Sequence, residues 1–174
     1  MSLTEIIAQA FGIIALIIIV FSFQQSDNKK FFIMQAAGCF AFFLNFILIG
    51  AWAGAFFNIT NAIRGLLFLN GNKKPWKLVL LEALYTLCFL FSAYLIWPDY
   101  FEILISALPF VALLIICVFM YKGNGNHIKI CHFFLASPAS IVYNIFNLSI
   151  GGIICESFNM LSVLVYFLRK RNKE

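Results

Sequence analysis

Long apolar runs separated by short polar connectors make up nearly all of this chain. The runs cover approximately residues 5–23, 31–49, 51–69, 77–97, 101–121, 129–149 and 151–168. Because a helix rises about 1.5 Å per residue, about 20 apolar residues cross the ~30 Å hydrocarbon core of a bilayer. The pattern therefore predicts seven transmembrane helices joined by minimal loops.

Composition supports the same environment. Hydrophobic residues make up 63% of the 174 residues, and charged residues only 11%. A soluble globule of this size needs more polar surface than these residues supply. We therefore expect an all-α membrane protein whose main partner is the lipid bilayer. The run at 5–23 is interpreted as a retained first span, because no basic residue precedes it and no cleavage site follows.

Basic and acidic residues alternate from one connector to the next. Connectors one, three and five and the tail hold eleven of the twelve Lys and Arg residues, whereas Glu5, Asp99 and Glu102 lie on the other side. Since cytoplasmic loops accumulate Lys and Arg, the N-terminus is predicted outside and the C-terminus in the cytoplasm. The net charge of +5 reflects this orientation and requires no nucleic acid as a partner.

One segment of the chain recurs. Ile49–Asn58, IGAWAGAFFN, returns 101 positions later as Ile150–Asn159, IGGIICESFN, with four of ten positions identical. The same spacing aligns Phe42 with Tyr143. An even number of predicted crossings separates the two copies, so both run in the same direction. This arrangement indicates two parallel membrane repeats.

The repeat divides the chain into three parts. Residues 1–70 form the first three-helix repeat, 71–98 a linker transmembrane helix, and 99–174 the second three-helix repeat with a basic cytoplasmic tail. A single linker helix allows two units with an odd number of spans to keep the same orientation.

Short motifs near the start of the chain carry a family resemblance. Phe21–Gln25, FSFQQ, resembles the S-F-x-P-Q that closes the first helix in the SWEET and PQ-loop superfamily, also called the MtN3-like clan. Asn45 lies where that superfamily often has Asn-x-x-Trp, and Asn58 lies at its substrate-facing Asn. The SDNKKFF connector and the Phe-rich second span resemble the YgjV family of bacterial inner-membrane proteins within this clan. The resemblance implies a SWEET-like fold, a bacterial inner-membrane location and solute transport.

The chain also departs from the superfamily pattern. Gln24 replaces the proline of the Pro-Gln pair, and the second unit has Lys122–Asn126, KGNGN, in its place. In the resembling transporters those prolines serve as hinges. Pro109 and Pro138 are expected to kink spans five and six instead, because proline breaks the helical hydrogen-bond ladder. A non-transporting scaffold or subunit with a SWEET-like fold is therefore the alternative to a transporter.

The repeated asparagines are the central candidate site. Asn58 and Asn159 are each expected eight residues below a glycine turn, near mid-bilayer, facing each other across a cavity. Phe42 and Tyr143 are expected to supply its apolar walls. An amide both donates and accepts hydrogen bonds, so the expected substrate is a small neutral polar solute. In the alternative interpretation, each Asn bonds within its own unit. Glu156 lies close to Asn159 and is a candidate for a water-filled vestibule.

Two further charges lie within predicted spans. Arg64 and Glu82 are each about six residues from the cytoplasmic end of consecutive spans, so a structural ion pair between them is predicted, with snorkelling of Arg64 as the alternative. Other buried amides are interpreted as hydrogen-bonding links between helices. They are Asn45, Asn61, Asn144 and Asn147.

Nothing in the sequence indicates an enzyme, a cofactor or a metal site. The five cysteines are scattered singly, without a C-x-x-C pair, and are interpreted as packing residues. His127 and His132 flank one connector without a metal-ligand partner and are interpreted as solvated. The sequence leaves a homo-oligomer open.

Overall fold

Seven helices follow one another along the chain. The computed structural model describes residues 3–22, 28–69, 74–122 and 125–171. The helices are α1 (Leu3–Ser22), α2 (Asn28–Leu48), α3 (Trp52–Phe68), α4 (Pro75–Leu95), α5 (Tyr100–Lys122), α6 (125–146) and α7 (Ile150–Arg171). Each falls on one predicted apolar run, so the all-α fold with seven helices is confirmed. The Gln24–Gln25 pair and the predicted 70/71 domain boundary lie outside the described residues.

Several helices are apolar on their outer surface. Among the described residues, three helical stretches are long and apolar enough to cross a membrane: Leu3–Ser22, Pro75–Leu95 and Tyr100–Phe119. Shorter apolar stretches occupy Phe32–Leu48 and Ile150–Val165. Isoleucine and leucine side chains are exposed all along α1 and α4, where a soluble protein would carry polar groups. Such a surface is stable against lipid and not against water.

Packing follows the order of the chain. We call α1–α3 the first half and α5–α7 the second half. In each half the middle helix packs against the other two, so α2 contacts α1 and α3, and α6 contacts α5 and α7. The linker α4 packs on α3 and α5, and the halves also meet where α1 contacts α7. Stacked aromatic rings tie α3 and α4 to α5, with Phe57–Phe110 and Phe89–Phe110 centroids 6.2 and 4.5 Å apart.

The turns that precede α3 and α7 have the same backbone conformation. Gly50 and Leu148 have φ of 77° and 52°, the left-handed region. Two residues beyond each, α3 begins at Trp52 and α7 at Ile150. Glycine adopts this conformation without cost, whereas leucine does so under strain. The two turns are 98 positions apart, three fewer than the spacing found by matching the sequence.

Hydrogen bonds support the spacing of 98. The Ala51 N–H donates to the Phe46 carbonyl over 2.9 Å, and the Ser149 N–H donates to the Asn144 carbonyl over the same 2.9 Å. Gly151, which the predicted alignment placed in the second turn, instead lies inside α7. The predicted register of 101 is therefore wrong, because the residue that reverses the chain in the second half is a leucine.

Helix α6 changes its winding next to a proline. It consists of Gly125–Cys131, a π-helical segment His132–Ala136, and Ser137–Phe146. The Pro138 nitrogen has no hydrogen to donate, and its ring crowds the carbonyl four residues earlier, which a wider turn relieves. The distortion predicted for span six is thus present. Helix α5, in contrast, continues through Pro109 without a change of helix type.

Candidate functional site: a central cavity

A cavity of about 590 Å³ lies between the two halves. Residues of α1–α3 line one side and residues of α5–α7 the other, whereas the lining contains no residue of α4. The predicted site residues Asn58, Asn159, Phe42 and Tyr143 all line this cavity, as does Glu156. The volume lies within the ~300–1,000 Å³ typical of small-molecule sites, and its walls combine aromatic rings with amides and charges.

The cavity faces of α3 and α7 correspond at the spacing set by the turns. Lining positions on each helix recur every three or four residues, and each position on α3 has a counterpart 98 residues later on α7. At this spacing Asn58 corresponds to Glu156, and Asn61 corresponds to Asn159. The two asparagines expected to be equivalent therefore differ by three residues, or about 4.5 Å of helix rise.

Each of the two predicted asparagines bonds within its own half. Asn58 Nδ2 donates to the Gly54 carbonyl over 2.9 Å. Asn159 Nδ2 donates to Glu156 Oε2 over 3.4 Å. No hydrogen bond joins the two amides in the part of the chain that the structure describes. Both side chains line the cavity, and each forms the hydrogen bond within its own half that the alternative interpretation expects.

Glu156 is held from the second half alone. Its Oε2 accepts a hydrogen bond from Ser137 Oγ over 2.7 Å in addition to the bond from Asn159. Ser137 lies just after the π-helical segment, so the wider turn of α6 positions the hydroxyl that holds this carboxyl group. No basic residue in the described ranges forms an ion pair with it.

Arg64 does not form the predicted ion pair with Glu82. Arg64 lines the cavity, and its Nη1 is buried without a hydrogen-bond partner. Glu82 lies on α4 and is not part of the cavity lining. Among the described residues, Arg64 thus lies on the cavity face of α3 without the carboxylate partner that was predicted. The ion pair was predicted only from the position of each residue along its span, which does not give its direction around the helix axis.

Other contacts tie α4 to α3. Tyr85 Oη donates to Asn61 Oδ1 over 2.6 Å. Lys77 Nζ donates to the Leu67 carbonyl over 2.5 Å, at the C-terminal end of α3 where carbonyls lack helical partners. These two bonds link the helices that the predicted ion pair was expected to link. The interpretation of Asn61 as an interhelical hydrogen-bonding residue is confirmed.

The halves close against each other at the end of the molecule that carries the Gly50 and Leu148 turns, which we call the turn end. The Gly54 N–H donates to Tyr143 Oη over 2.7 Å. The Phe46 ring lies against Tyr143, with centroids 5.9 Å apart. A methyl group at Gly54 would approach both rings to 2.8 Å, so only glycine fits. These contacts join the two halves at the turn end, where Gly54, Phe46 and Tyr143 also line the cavity.

A second group of contacts at the turn end joins α1 to the second half. Asn45 Nδ2 donates to the Ala8 carbonyl over 2.7 Å, and Ser149 Oγ donates to Asn45 Oδ1 over 2.9 Å. Asn45 is fully buried and links α2 to two other segments, as an interhelical amide is expected to do. Beside it, the backbones of Gly12 and Gly151 lie in direct contact.

The remaining two amides behave differently from Asn45. Asn147 Nδ2 donates to the Tyr143 carbonyl of its own helix, so the prediction of an interhelical link is wrong there. Asn144 packs against Gly152 of α7, and its buried Oδ1 has no hydrogen-bond partner. Because Asn144 also lines the cavity, its amide is a further polar group of the site.

Sequence reasoning missed part of the cavity wall on α6. Lys129, His132 and Ser140 line the cavity. The interpretation of His132 as a solvated residue is wrong, because α6 begins at Gly125 and His132 lies within this helix, on its cavity face. His127 is exposed, as expected. Positions 129, 132, 136, 140 and 143 recur at helical spacing, which is the signal that would have identified this face.

The described residues contain no group of three or more His, Cys, Asp or Glu side chains placed to hold a metal ion. All five cysteines are free. The lining of the cavity offers hydrogen bonding by amides and hydroxyls, stacking on aromatic rings, and charge from Arg64, Lys129 and Glu156.

Comparison with known proteins agrees with a membrane location. No curated protein and no solved structure matches this chain significantly. A family model described as a bacterial inner membrane protein, Imp-YgjV, matches residues 6–174. The match covers all seven helices, and their apolar surfaces agree with an integral membrane protein. The chain belongs to the Imp-YgjV family of bacterial inner membrane proteins.

Proposed function

We propose that this protein is a transporter, a facilitator or exchanger that moves a small polar solute through the cavity between its two halves. The observation that carries the proposal is the cavity itself. It is large enough for a metabolite, lies between α1–α3 and α5–α7, and is lined by polar groups from both halves. Polar side chains in a membrane protein are costly and mark solute or ion pathways more often than they serve packing alone.

Two features of the halves support transport by alternating access. In each half the middle helix packs against the other two, and the left-handed turns before α3 and α7 are 98 residues apart. Contacts between the halves concentrate at the turn end, where Tyr143 meets Gly54. A rocking motion that breaks this contact would open the cavity at that end. These features support the further proposal that the protein belongs to the SWEET and PQ-loop superfamily.

The class of solute requires a revision of the first expectation. A neutral solute was expected because two asparagines were placed opposite each other. The same cavity also contains Arg64, whose Nη1 has no protein partner. A neutral solute satisfies the amides but leaves this charge unpaired. The proposed transport function therefore stands on the cavity, and the chemistry of the solute is considered separately below.

The double variant Asn58→Ala, Asn159→Ala tests the role of the cavity. The two amides bond only within their own halves, so their loss is expected to change the unfolding temperature little. Uptake of radiolabelled metabolites into vesicles that contain the purified protein should fall strongly. A matched control is Asn147→Ala, which removes an amide that also bonds its own helix but lies outside the cavity lining.

The same assay separates transport from the alternative function. A scaffold or subunit would show no uptake above protein-free vesicles for any solute, in the wild type as in the variants. It would also show no thermal stabilisation by solutes, whereas a ligand at 100 times its Kd adds about 2.7 kcal/mol. Absence of both effects across neutral and charged metabolites would contradict the proposal.

A further inference from the structure

The guanidinium group of Arg64 has an unusual environment. It lies on the cavity face of α3, six residues after Asn58. Its neighbours include Tyr85, Cys39 and Cys117, which are uncharged at neutral pH, and the Cys117 thiol is close enough to accept a hydrogen bond from the guanidinium. Its Nη1 is shielded from solvent and has no hydrogen-bond partner. A buried cation with an unused donor is strongly unfavourable unless an anion completes the site.

The protein does not supply that anion from its described residues. Glu82 belongs to α4 and lies outside the cavity. Glu156 already accepts hydrogen bonds from Ser137 and Asn159. Glu156 corresponds in level to Asn58, six residues from Arg64, so about 9 Å of helix rise separates it from the guanidinium level. Neither carboxylate forms an ion pair with Arg64.

Lys129, on the facing helix α6, adds a second positive charge to the lining of the cavity. His132 of the same helix lines the cavity as a partly buried, neutral imidazole, which can donate a hydrogen bond but adds no charge. Arg64 and His132 are near enough to interact electrostatically. An arginine with free donors is the side chain best suited to a carboxylate or phosphate, because its planar fork binds two oxygens at once.

We propose that Arg64 binds an anionic group of the transported solute, so the substrate is a small organic acid or phosphorylated metabolite rather than a neutral molecule. This inference rests on the proposed transport function. The amides of Asn58 and Asn61 would contact the polar remainder of the solute, and the rings of Phe42 and Phe57 its apolar part. The anionic group of the solute is then the counter-charge of Arg64, which no described residue of the protein provides.

Chemical labelling of the wild-type protein tests this directly. Phenylglyoxal modifies accessible arginines, and the chain contains only Arg64, Arg169 and Arg171, so peptide mass spectrometry resolves each site. Sodium lactate, sodium phosphate and glucose are the probes, with sodium chloride as the ionic-strength control. An anion at ten times its Kd should slow Arg64 labelling about tenfold and leave Arg171 unchanged. Protection by lactate assigns a carboxylate, and protection by phosphate assigns a phosphoryl group.

Variants extend the test to binding and uptake. Arg64→Gln removes an unpaired charge, so the fold should survive, and affinity for the protecting anion should fall roughly 10- to 100-fold. Arg171→Gln removes an arginine outside the cavity and should change nothing. Arg64→Lys keeps the charge without the fork and should bind with intermediate affinity.

The outcomes separate this inference from the transport proposal. If glucose protects Arg64 or is taken up into vesicles, and neither anion protects Arg64, the anionic solute is refuted and the transport proposal stands. Anion protection without uptake into vesicles would keep the anion site and refute transport. An Arg64 that phenylglyoxal does not modify, or that no probe protects, would overturn the inference.

Discussion

Glycine at a few positions decides how closely the two halves approach each other. A methyl group on Gly151 would lie 2.5 Å from the backbone of Gly12, a contact that neither backbone can avoid. A methyl group on Gly65 would meet only the Phe32 carbonyl oxygen, at 3.7 Å. The absence of a side chain is therefore essential at one glycine and incidental at the other.

These two glycines give a matched pair of stability predictions. Gly151→Ala should destabilise the protein by about 1–3 kcal/mol, because α1 and α7 must separate. Gly65→Ala should leave stability unchanged or raise it by about 0.5–1 kcal/mol, because alanine favours a helix. Reversible unfolding of the purified variants in detergent measures both. Equal effects of the two changes would contradict the close packing of α1 on α7.

At the scale of elements, the second half caps a helix of the first half. Gly54 is the third residue of α3, and its N–H is one of the donors that an N-terminal helical turn leaves without an intrahelical partner. Tyr143 Oη of α6 accepts that hydrogen bond. The contact that joins the two halves at the turn end is thus also part of the capping of α3.

Tyr143→Phe tests the strength of this cap. The change keeps the ring against Phe46 but leaves the Gly54 N–H without an acceptor, at an expected cost of about 1–3 kcal/mol. Tyr94→Phe is the control, since Tyr94 is 75% exposed and its hydroxyl is not buried. Unchanged stability would show that this bond contributes nothing to the closed arrangement.

The turns show why local sequence matching misassigned the register between the halves. The first turn uses glycine at its left-handed residue, and the second uses Leu148. Gly151 and Gly152 follow in the sequence and resemble a turn, but they serve helix packing inside α7. A glycine in the sequence therefore did not reveal whether it allows a left-handed turn or a close contact between helices.

For the whole molecule, the orientation across the membrane stays a prediction. Basic residues gather at the end opposite the turn end, including Lys29, Lys74 and Lys122. A reporter enzyme fused after Glu174 should therefore be active in the cytoplasm, and one inserted at Asp99 should be active outside. A cytoplasmic signal from the Asp99 fusion would reverse the orientation and place the turn end inside.

The site shows the limits of sequence reasoning. The residues chosen from the repeat, together with Arg64 and Glu156, all line the cavity, because polar groups in long apolar helices face the protein interior rather than lipid. Their partners were predicted less well. Arg64 was paired with Glu82, and no ion pair joins them among the described residues. The two asparagines line one cavity, but each described amide bonds within its own half.

The sequence alone determined the seven helices, their apolar surfaces and the family, because hydrophobicity over about 20 residues is a property of each segment. The tertiary structure decided which side chains meet. Direction around a helix, the left-handed turn at Leu148 and the extra width of the π-helical segment in α6 set the level and facing of every cavity residue. A change of one residue in register turns a side chain by about 100° around the helix axis. For that reason, Arg64 faces an open cavity instead of a carboxylate on α4.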